Sequence, residues 1–434
     1  MSQPETSEPV LSKAERQQRL QELAMVFFKL GTIAFGGPAA HIALMDDEVV
    51  KRRQWLSRER LLDLLGITNL IPGPNSTELA IHIGYERAGW RGLIVAGVCF
   101  ILPAMLIVWV IAAIYVQFRT LPQLTGFLYG VKPVIIVIVL QALWKLGKTA
   151  IKDRITALAA ATAIVSFALG FNELALLGLL GLGTMLVRIG LRLRTQLMLV
   201  PLMPLMPLMS LMSAHIRGVI WGTPAASLMG LFQGIFQGKG FQWSPVLLEI
   251  PVAVATTVAP VSWLQVFWFF LKVGSVLYGS GYVLLAFLQR GLVENTQWLT
   301  AQNLLDAIAI GQVTPGPVFT TATFVGYLLA GNAGAVAGTI GIFLPAFLLV
   351  LLINPWAAKL RQSHGLSGFL DGVNAASLGL MAVVSWQLGR AAVVDGLTLG
   401  LTILSAVLLF RFRWNSAWLV LGGGVIGLLL QLIR

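Results

Sequence analysis

Two stretches of this chain are copies of one another, and each carries a Pro-Gly-Pro inside an apolar segment. Lys29 pairs with Lys272, Gly31 with Gly274, Trp55 with Trp298, Asp63 with Asp306, and Pro72, Gly73 and Pro74 with Pro315, Gly316 and Pro317, all at one offset. After a slip of a single residue the match continues through Gly84 and Gly326, Gly89 and Gly331, Pro103 and Pro345, Trp144 and Trp386, and Asp153 and Asp395. One offset held across such uncommon residue types marks a duplication, so the fold must be built from two related halves.

The duplicated unit belongs in a bilayer. Of the 434 residues 57% are hydrophobic and only 11% charged, and the mean hydropathy is +0.83. That leaves too little polar surface to cover a soluble globule of this length. Runs such as residues 92–116, and 377–387 with their flanks, suit spanning helices of about 20 apolar residues each. Open sheets would strand their edges in lipid, so the class is all-α and polytopic. The net charge of +12 sits at segment ends, where the positive-inside bias puts it, and implies no nucleic-acid partner. Cys99 is the only cysteine, which excludes an intrachain disulfide and a cysteine-based metal site.

Each half contains six apolar segments, and the first two are interrupted: by Phe35-Gly36-Gly37-Pro38 and Pro72-Gly73-Pro74, and again by Tyr278-Gly279-Ser280-Gly281 and Pro315-Gly316-Pro317. The basic residues decide how these segments run. Lys51, Arg52, Arg53, Arg58 and Arg60, then Arg87 and Arg91, then Lys145, Lys148, Lys152 and Arg154, then Arg188, Arg192 and Arg194 fall on one side only if both broken segments enter and return on the same face. In the second half those positions are depleted, retaining Arg290, Arg390 and Arg434, while Lys359, Arg361, Arg411 and Arg413 occupy turns that were poor in charge before. The expectation is two inverted homologous repeats, each with two re-entrant segments followed by four spanning helices. Residues 1–19 read as a cytoplasmic tail, 20–194 and 263–434 as the repeats, and 195–262 as a linker. Inversion needs an odd number of linker crossings, for which residues 218–236 or 244–261 suit better than the run around Pro201, Pro204 and Pro207. A rival count lets the first broken segment span, leaving the linker cytoplasmic and the N-terminus outside.

Helices that restart inside the membrane after a break present unpaired amides and a partial positive charge, an anion site made without a lysine. Candidate ligand contacts are therefore Gly36, Gly37, Pro38 and His41; Pro72, Gly73, Pro74, Asn75, Ser76 and Thr77; Gly279, Ser280 and Gly281; and Pro315, Gly316, Pro317, Thr320 and Thr321. The hydroxyls either replace an oxyanion's hydration shell or bond back to their own helices. Lys29 and Lys272 either attract the anion or snorkel to the interface. Glu78 is a candidate for proton coupling, or else a partner for an arginine such as Arg53 or Arg87. Asp63 and Asp306 read as polar anchors or partners of a basic loop, and Arg52 and Arg53 as topology signals or an anion funnel.

Lys29-Leu30-Gly31, Phe35-Gly36-Gly37-Pro38 with His41, Trp55, and Ile71-Pro72-Gly73-Pro74 resemble the first-half signature of the chromate transporter family. Tyr278-Gly279-Ser280-Gly281-Tyr282, Trp298-Leu299-Thr300, Thr314-Pro315-Gly316-Pro317 and Phe343-Leu344-Pro345 resemble its second-half signature. The resemblance covers nearly the whole chain outside the tail and the linker, whose Met-Pro-Leu repeats are not part of the pattern. It implies export of chromate, a tetrahedral dianion shaped like sulfate, across the bacterial inner membrane. No hydrolase, zinc-protease or nucleotide-loop signature is present, so the chain reads as a non-enzyme without cofactor or metal, drawing on ion gradients or the membrane potential. Protons as the coupled ion, sulfate as a competing substrate and a homodimeric assembly stay open, with a general oxyanion carrier and a passive anion channel as alternatives.

Overall fold

The computed structural model describes residues 12–35, 37–118, 121–198, 261–278, 281–356, 363–412 and 414–433. Gly36, Gly279, Ser280, Arg119, Lys359, Arg361, Arg413, Arg434 and the linker's proline run and proposed crossings lie outside the described residues, apart from Val261. Residues 1–189 with 260–434 form one compact unit and 190–259 a second; the helices and contacts below belong to the first, except where α7 runs past residue 189.

The first repeat comprises α1 (Lys13–Ile33), α2 (Pro38–Met45, continued by a wide turn Asp46–Arg52), α3 (Arg58–Thr68), α4 (Asn75–Phe118), α5 (Pro122–Ala150), α6 (Arg154–Ala168) and α7 (Glu173–Met198). The second repeats the series as α8 (Trp263–Val276), α9 (Leu284–Leu288, between a 3-10 turn Gly281–Val283 and a wide turn Gln289–Asn295), α10 (Ala301–Val313), α11 (Thr321–Ile353), α12 (His364–Ala392), α13 (Gly396–Phe410) and α14 (Ser416–Ile433). α1 begins inside what the sequence suggests is tail, because Ser12 and Glu15 close a reciprocal cap there. Caps recur at matched positions. Ser57 and Thr300 start α3 and α10, and Asp153 and Asp395 start α6 and α13 through Thr156 and Thr398. Even Gln54 and Gln297, one residue before the matched tryptophans, share a positive φ, 51° and 54°.

α4 and α11 each double back. The helical path breaks at Ala88 and Gly89 (φ 62°) and at Ala330 and Gly331 (φ 60°), where only glycine enters the left-handed region without strain. The two arms then pack so tightly that a methyl on Gly84 would lie 2.3 Å from the Gly92 carbonyl oxygen, and one on Gly326 2.1 Å from that of Gly334. The short arm, residues 75–87, therefore runs back beside the long arm. Arg60 at the start of α3 pairs with Glu86 at the end of the short arm, and Glu22 of α1 pairs with Arg87. The Arg87 guanidinium stacks 4.1 Å above the Trp55 ring, with Arg53 on the same ring at 5.3 Å. Both broken segments of the first repeat thus leave and regain one end of the bundle, as the charge pattern requires.

The second repeat is inverted. The long arms of α4 and α11 cross antiparallel, with Gly97 against Phe347 and Trp109 Nε1 donating to Asn332 Oδ1 at 3.0 Å. The start of α10 lies where α4 ends, since Tyr115 donates to Asp306 Oδ2 at 2.8 Å. Arg19, Arg53, Arg60 and Arg87 cluster at one end, and α5, which starts after α4 ends at the other, runs back toward it carrying Lys145 and Lys148, with Lys152 two residues past its last turn. Six described helices, α4, α5, α7, α11, α12 and α14, are long and apolar enough to cross a bilayer. α6 and α13 are shorter apolar helices of 15 residues each, about 22 Å at 1.5 Å per residue.

Candidate functional site

All four breaks meet at the middle of the bundle, and they are tied across the repeats. The Gly73 amide donates to the Leu277 carbonyl at 2.7 Å, and the Gly316 amide to the Ala34 carbonyl at 2.9 Å. Each Pro-Gly-Pro is therefore held by the first break of the opposite half. The prolines flanking each glycine carry no N–H, so this single amide is the donor each tripeptide has to give.

Beside these bonds lies a cavity of about 190 Å³, and its wall is made largely of helix beginnings. Pro38 opens α2, Asn75 and Ser76 open α4, Gly281 opens the helical run into α9, and Val318 with Phe319 opens the turn into α11. Thr77 and Glu78 are the first amides to find a helix acceptor, the Pro74 carbonyl, at 2.8 and 3.0 Å, so Asn75 and Ser76 precede the α4 ladder. Four helix starts bordering one small volume are chemically able to receive an anion without a charged side chain. His41 reaches the same cavity. Its Nδ1 is 3.2 Å from the Ser76 hydroxyl and its Nε2 3.1 Å from the Ala34 carbonyl, so the ring also braces the first break against the second.

Two larger openings adjoin the cavity. One of about 830 Å³ shares Pro38, Leu146 and Val318 with it, and also touches Gly37, Gly316, Gln141, Gln312, Lys145 and Lys148. The other, of about 500 Å³, shares Asn75 and Leu146 and extends past Tyr278 and Asn374 to Lys152 and Asp371. Both reach the basic end of the bundle. Lys152 is 2.7 Å from Asp371, which also holds Arg188, so charge in the smaller opening is compensated. Lys145 and Lys148 have no carboxylate partner among the described residues; they contact Gln141 at 3.4 Å and the Trp144 ring at 5.2 Å.

The remaining candidates divide sharply. Pro72, Gly73, Pro315, Gly316 and Pro317 are buried at the junction. Thr320 and Thr321 are also buried, but their hydroxyls donate to the Pro317 and Val318 carbonyls at 2.8 Å each. They satisfy the backbone freed by the break and present no donor to a ligand. Thr77 is fully buried with its hydroxyl unpaired. Lys29 and Lys272 do not join the site. Lys29 is on the outer face, its side chain 53% exposed and its Nζ 4.0 Å from Glu48, and Lys272 is exposed at the matching position. An amphipathic stem with its charge turned outward accounts for both. Arg52 and Arg53 pair with Asp47 and Glu48, which leaves little charge to gather anions.

Glu78 has neither of the arginine partners that its sequence position suggests, because Arg53 holds Glu48 and Arg87 holds Glu22. Its side chain is fully buried, both carboxyl oxygens lack a hydrogen-bond donor, and Oε1 presses against Gly73. Asp306 likewise meets no basic loop: Lys132 of α5 lies 3.0 Å from its Oδ1. Sequence reasoning missed Lys132, Leu146 and Val318. Val318 was within reach as the first residue after Pro317, whereas Leu146 carries no local signal that it faces the cavity, nor Lys132 that it faces Asp306.

The family model described as chromate transporter matches residues 21–187 and 264–428, one match in each repeat. A chromate transport protein of Cupriavidus metallidurans is 29% identical over 94% of this chain and 92% of its own length. One of Pseudomonas aeruginosa is 29% identical over 92% of this chain and 90% of its own. An uncharacterized transporter of Bacillus subtilis, YwrA, is 37% identical over 30% of this chain and 73% of its own length, and so is similar to part of it. No solved structure matches the chain.

Proposed function

The chain belongs to the chromate transporter family, and from that premise we propose that it is a secondary carrier that exports chromate, binding the dianion in the cavity between the four breaks. One observation carries the reading: the starts of helices from both repeats surround about 190 Å³ at the centre of the bundle. A tetrahedral oxyanion needs donors on several sides, and restarted helices supply them from fixed backbone. The basic end faces the cytoplasm under the positive-inside rule, in a bacterial inner membrane. Both openings then lead from the cytoplasm, and the described conformation is the one that loads substrate. Efflux of a dianion from a negative interior is favoured by roughly 2.3 kcal/mol per charge per 100 mV. The inverted repeats supply the means, since exchanging the conformations of the halves closes one side and opens the other.

The test is radiolabelled chromate flux into everted vesicles holding the protein, at fixed proton gradient and potential, with and without excess sulfate. Potential-dependent accumulation only weakly reduced by sulfate supports a chromate exporter. Equal competition would reassign the chain to oxyanions in general, and rapid flux without saturation would make it a channel.

Lys145 and Lys148 concentrate the anion at the loading mouth. Lys145→Ala with Lys148→Ala lowers the rate at subsaturating chromate about threefold to tenfold, while the saturated rate changes little. Rising ionic strength shrinks the difference, as expected for charges screened over roughly 8–10 Å. Initial rates at two salt concentrations check this, and a salt-independent defect would assign the lysines to packing.

A further inference from the structure

The end opposite the openings contains a buried ion pair to which loading assigns no role. Lys132 lies three turns into α5, with Nζ 3.0 Å from Asp306 Oδ1 and 2.7 Å from Gln302 Oε1. The two charged side chains are only 16% and 7% exposed. Tyr115 of α4 donates to the other oxygen of Asp306 at 2.8 Å, and Gln302 Nε2 donates to the Ala391 carbonyl of α12 at 3.0 Å. One lysine thus stands at a knot that joins α4, α5, α10 and α12. Ionisable groups at such depth are rare enough to imply a task.

The repeats indicate which task. In the offset that aligns the halves, Leu128, Lys132, Ile135 and Ile136 of α5 correspond to Leu370, Asn374, Ser377 and Leu378 of α12. Those four α12 residues line the smaller opening at the basic end. Their α5 counterparts line neither the central cavity nor either opening, although Leu128, Ile135 and Ile136 are buried much as Leu370, Ser377 and Leu378 are. Exchanging the conformations of two inverted halves turns the closed face into the open one. In the exchanged state the α5 face lines the exit as the α12 face now lines the entrance, and a cation stands where the entrance has the neutral Asn374.

We propose that Lys132 is an anion contact of the exit pathway, held by Asp306 while the exit is closed and transferred to the departing oxyanion when it opens. This rests on the carrier reading above. Asp306 is the positioning residue: it keeps the ammonium from the central cavity during loading and gives it up only as α10 separates from α5.

Purified protein reconstituted in liposomes, with chromate offered to one side at a time, tests the proposal. Lys132→Gln leaves half-saturation at the basic end within about twofold of the parent and raises it at the opposite end at least tenfold, while Lys132→Arg restores it. In a Cys99→Ala background with Ile135→Cys, Asp306→Asn raises labelling from the opposite end by a membrane-impermeant maleimide at least threefold. Equal change at both ends, or none, overturns the assignment of Lys132, and unchanged labelling overturns that of Asp306. Should Lys132→Gln fail to insert, the Lys132→Arg and labelling arms decide alone. If the parent protein moves no chromate, the carrier reading fails instead, and the labelling still reports whether Asp306 closes that end.

Discussion

Gly316→Ala abolishes transport, to below about a tenth of the parent rate, and lowers the melting temperature. Two independent obstacles stand at this residue. Its φ of +88° lies where a side chain is strained, at roughly 1–2 kcal/mol. The added methyl would also lie 2.5 Å from Ala104 Cβ and 3.1 Å from the Gly31 carbonyl oxygen, and overpacking of that kind costs about 1–3 kcal/mol. Relief requires the Pro-Gly-Pro to withdraw from α4, which breaks the Gly316 amide bond to Ala34 and opens the junction around the cavity. Gly73→Ala carries backbone strain too, at φ +139°, but its methyl meets the end of the Glu78 side chain, 2.3 Å away, rather than Ala104 and the Gly31 backbone, so its steric obstacle is the smaller. Ala104→Gly added to Gly316→Ala recovers part of the loss by removing the steric obstacle while leaving the backbone strain. Vesicle flux per inserted protein and thermal unfolding in detergent check the order. Near-parental flux in Gly316→Ala would mean that the junction is not part of the transport path.

What the sequence discloses and what it hides follow from how local each feature is. The breaks, the reversal on one face and the inversion were legible because Gly, Pro, Lys and Arg act through their own backbone or their own distance from the interface. The Gly89 and Gly331 reversals show the same logic: only the matched glycines mark the place where a helix long enough to span turns back first. The cavity was half legible. Pro38, Asn75, Ser76 and Gly281 follow from the rule that helix starts bind anions, and Val318 follows from it as well once Pro317 is taken as the end of the break. Thr320 and Thr321 defeat that rule because a hydroxyl within three residues of a freed carbonyl satisfies it before any ligand does. The Gly73 to Leu277 and Gly316 to Ala34 bonds join residues far apart in the chain, and no local pattern encodes them. Lys132 reads as an ordinary basic residue until α10 is laid against α5. Conversely, the matched positions of Lys29 and Lys272 reflect shared ancestry at the outer face rather than shared chemistry at the centre.

Glu78→Gln separates binding from turnover. The carboxyl is fully buried without a donor to either oxygen, two residues beyond the Ser76 that lines the cavity, and an unpaired charge at such depth costs about 2.5–3.5 kcal/mol on insertion scales. A dianion arriving at the start of the same helix adds like-charge repulsion to that burden. Proton and anion therefore favour each other's binding. The sign follows: acidification neutralises Glu78 and tightens chromate in the parent protein, roughly threefold to tenfold, or about 0.7–1.4 kcal/mol. In Glu78→Gln the amide is neutral at every pH, so chromate binds as tightly as in the acidified parent, and pH dependence is reduced to that of the ligand itself. Turnover falls at least tenfold, because a site that cannot regain its charge cannot expel the anion at the far side. One proton leaving with one dianion still moves a net negative charge outward, so the membrane potential drives the cycle. Equilibrium binding across a pH series, beside flux at imposed potential, measures both halves of the argument. A pH response that survives unchanged in Glu78→Gln would move the coupling to another group, and full turnover in that variant would remove protons from the cycle.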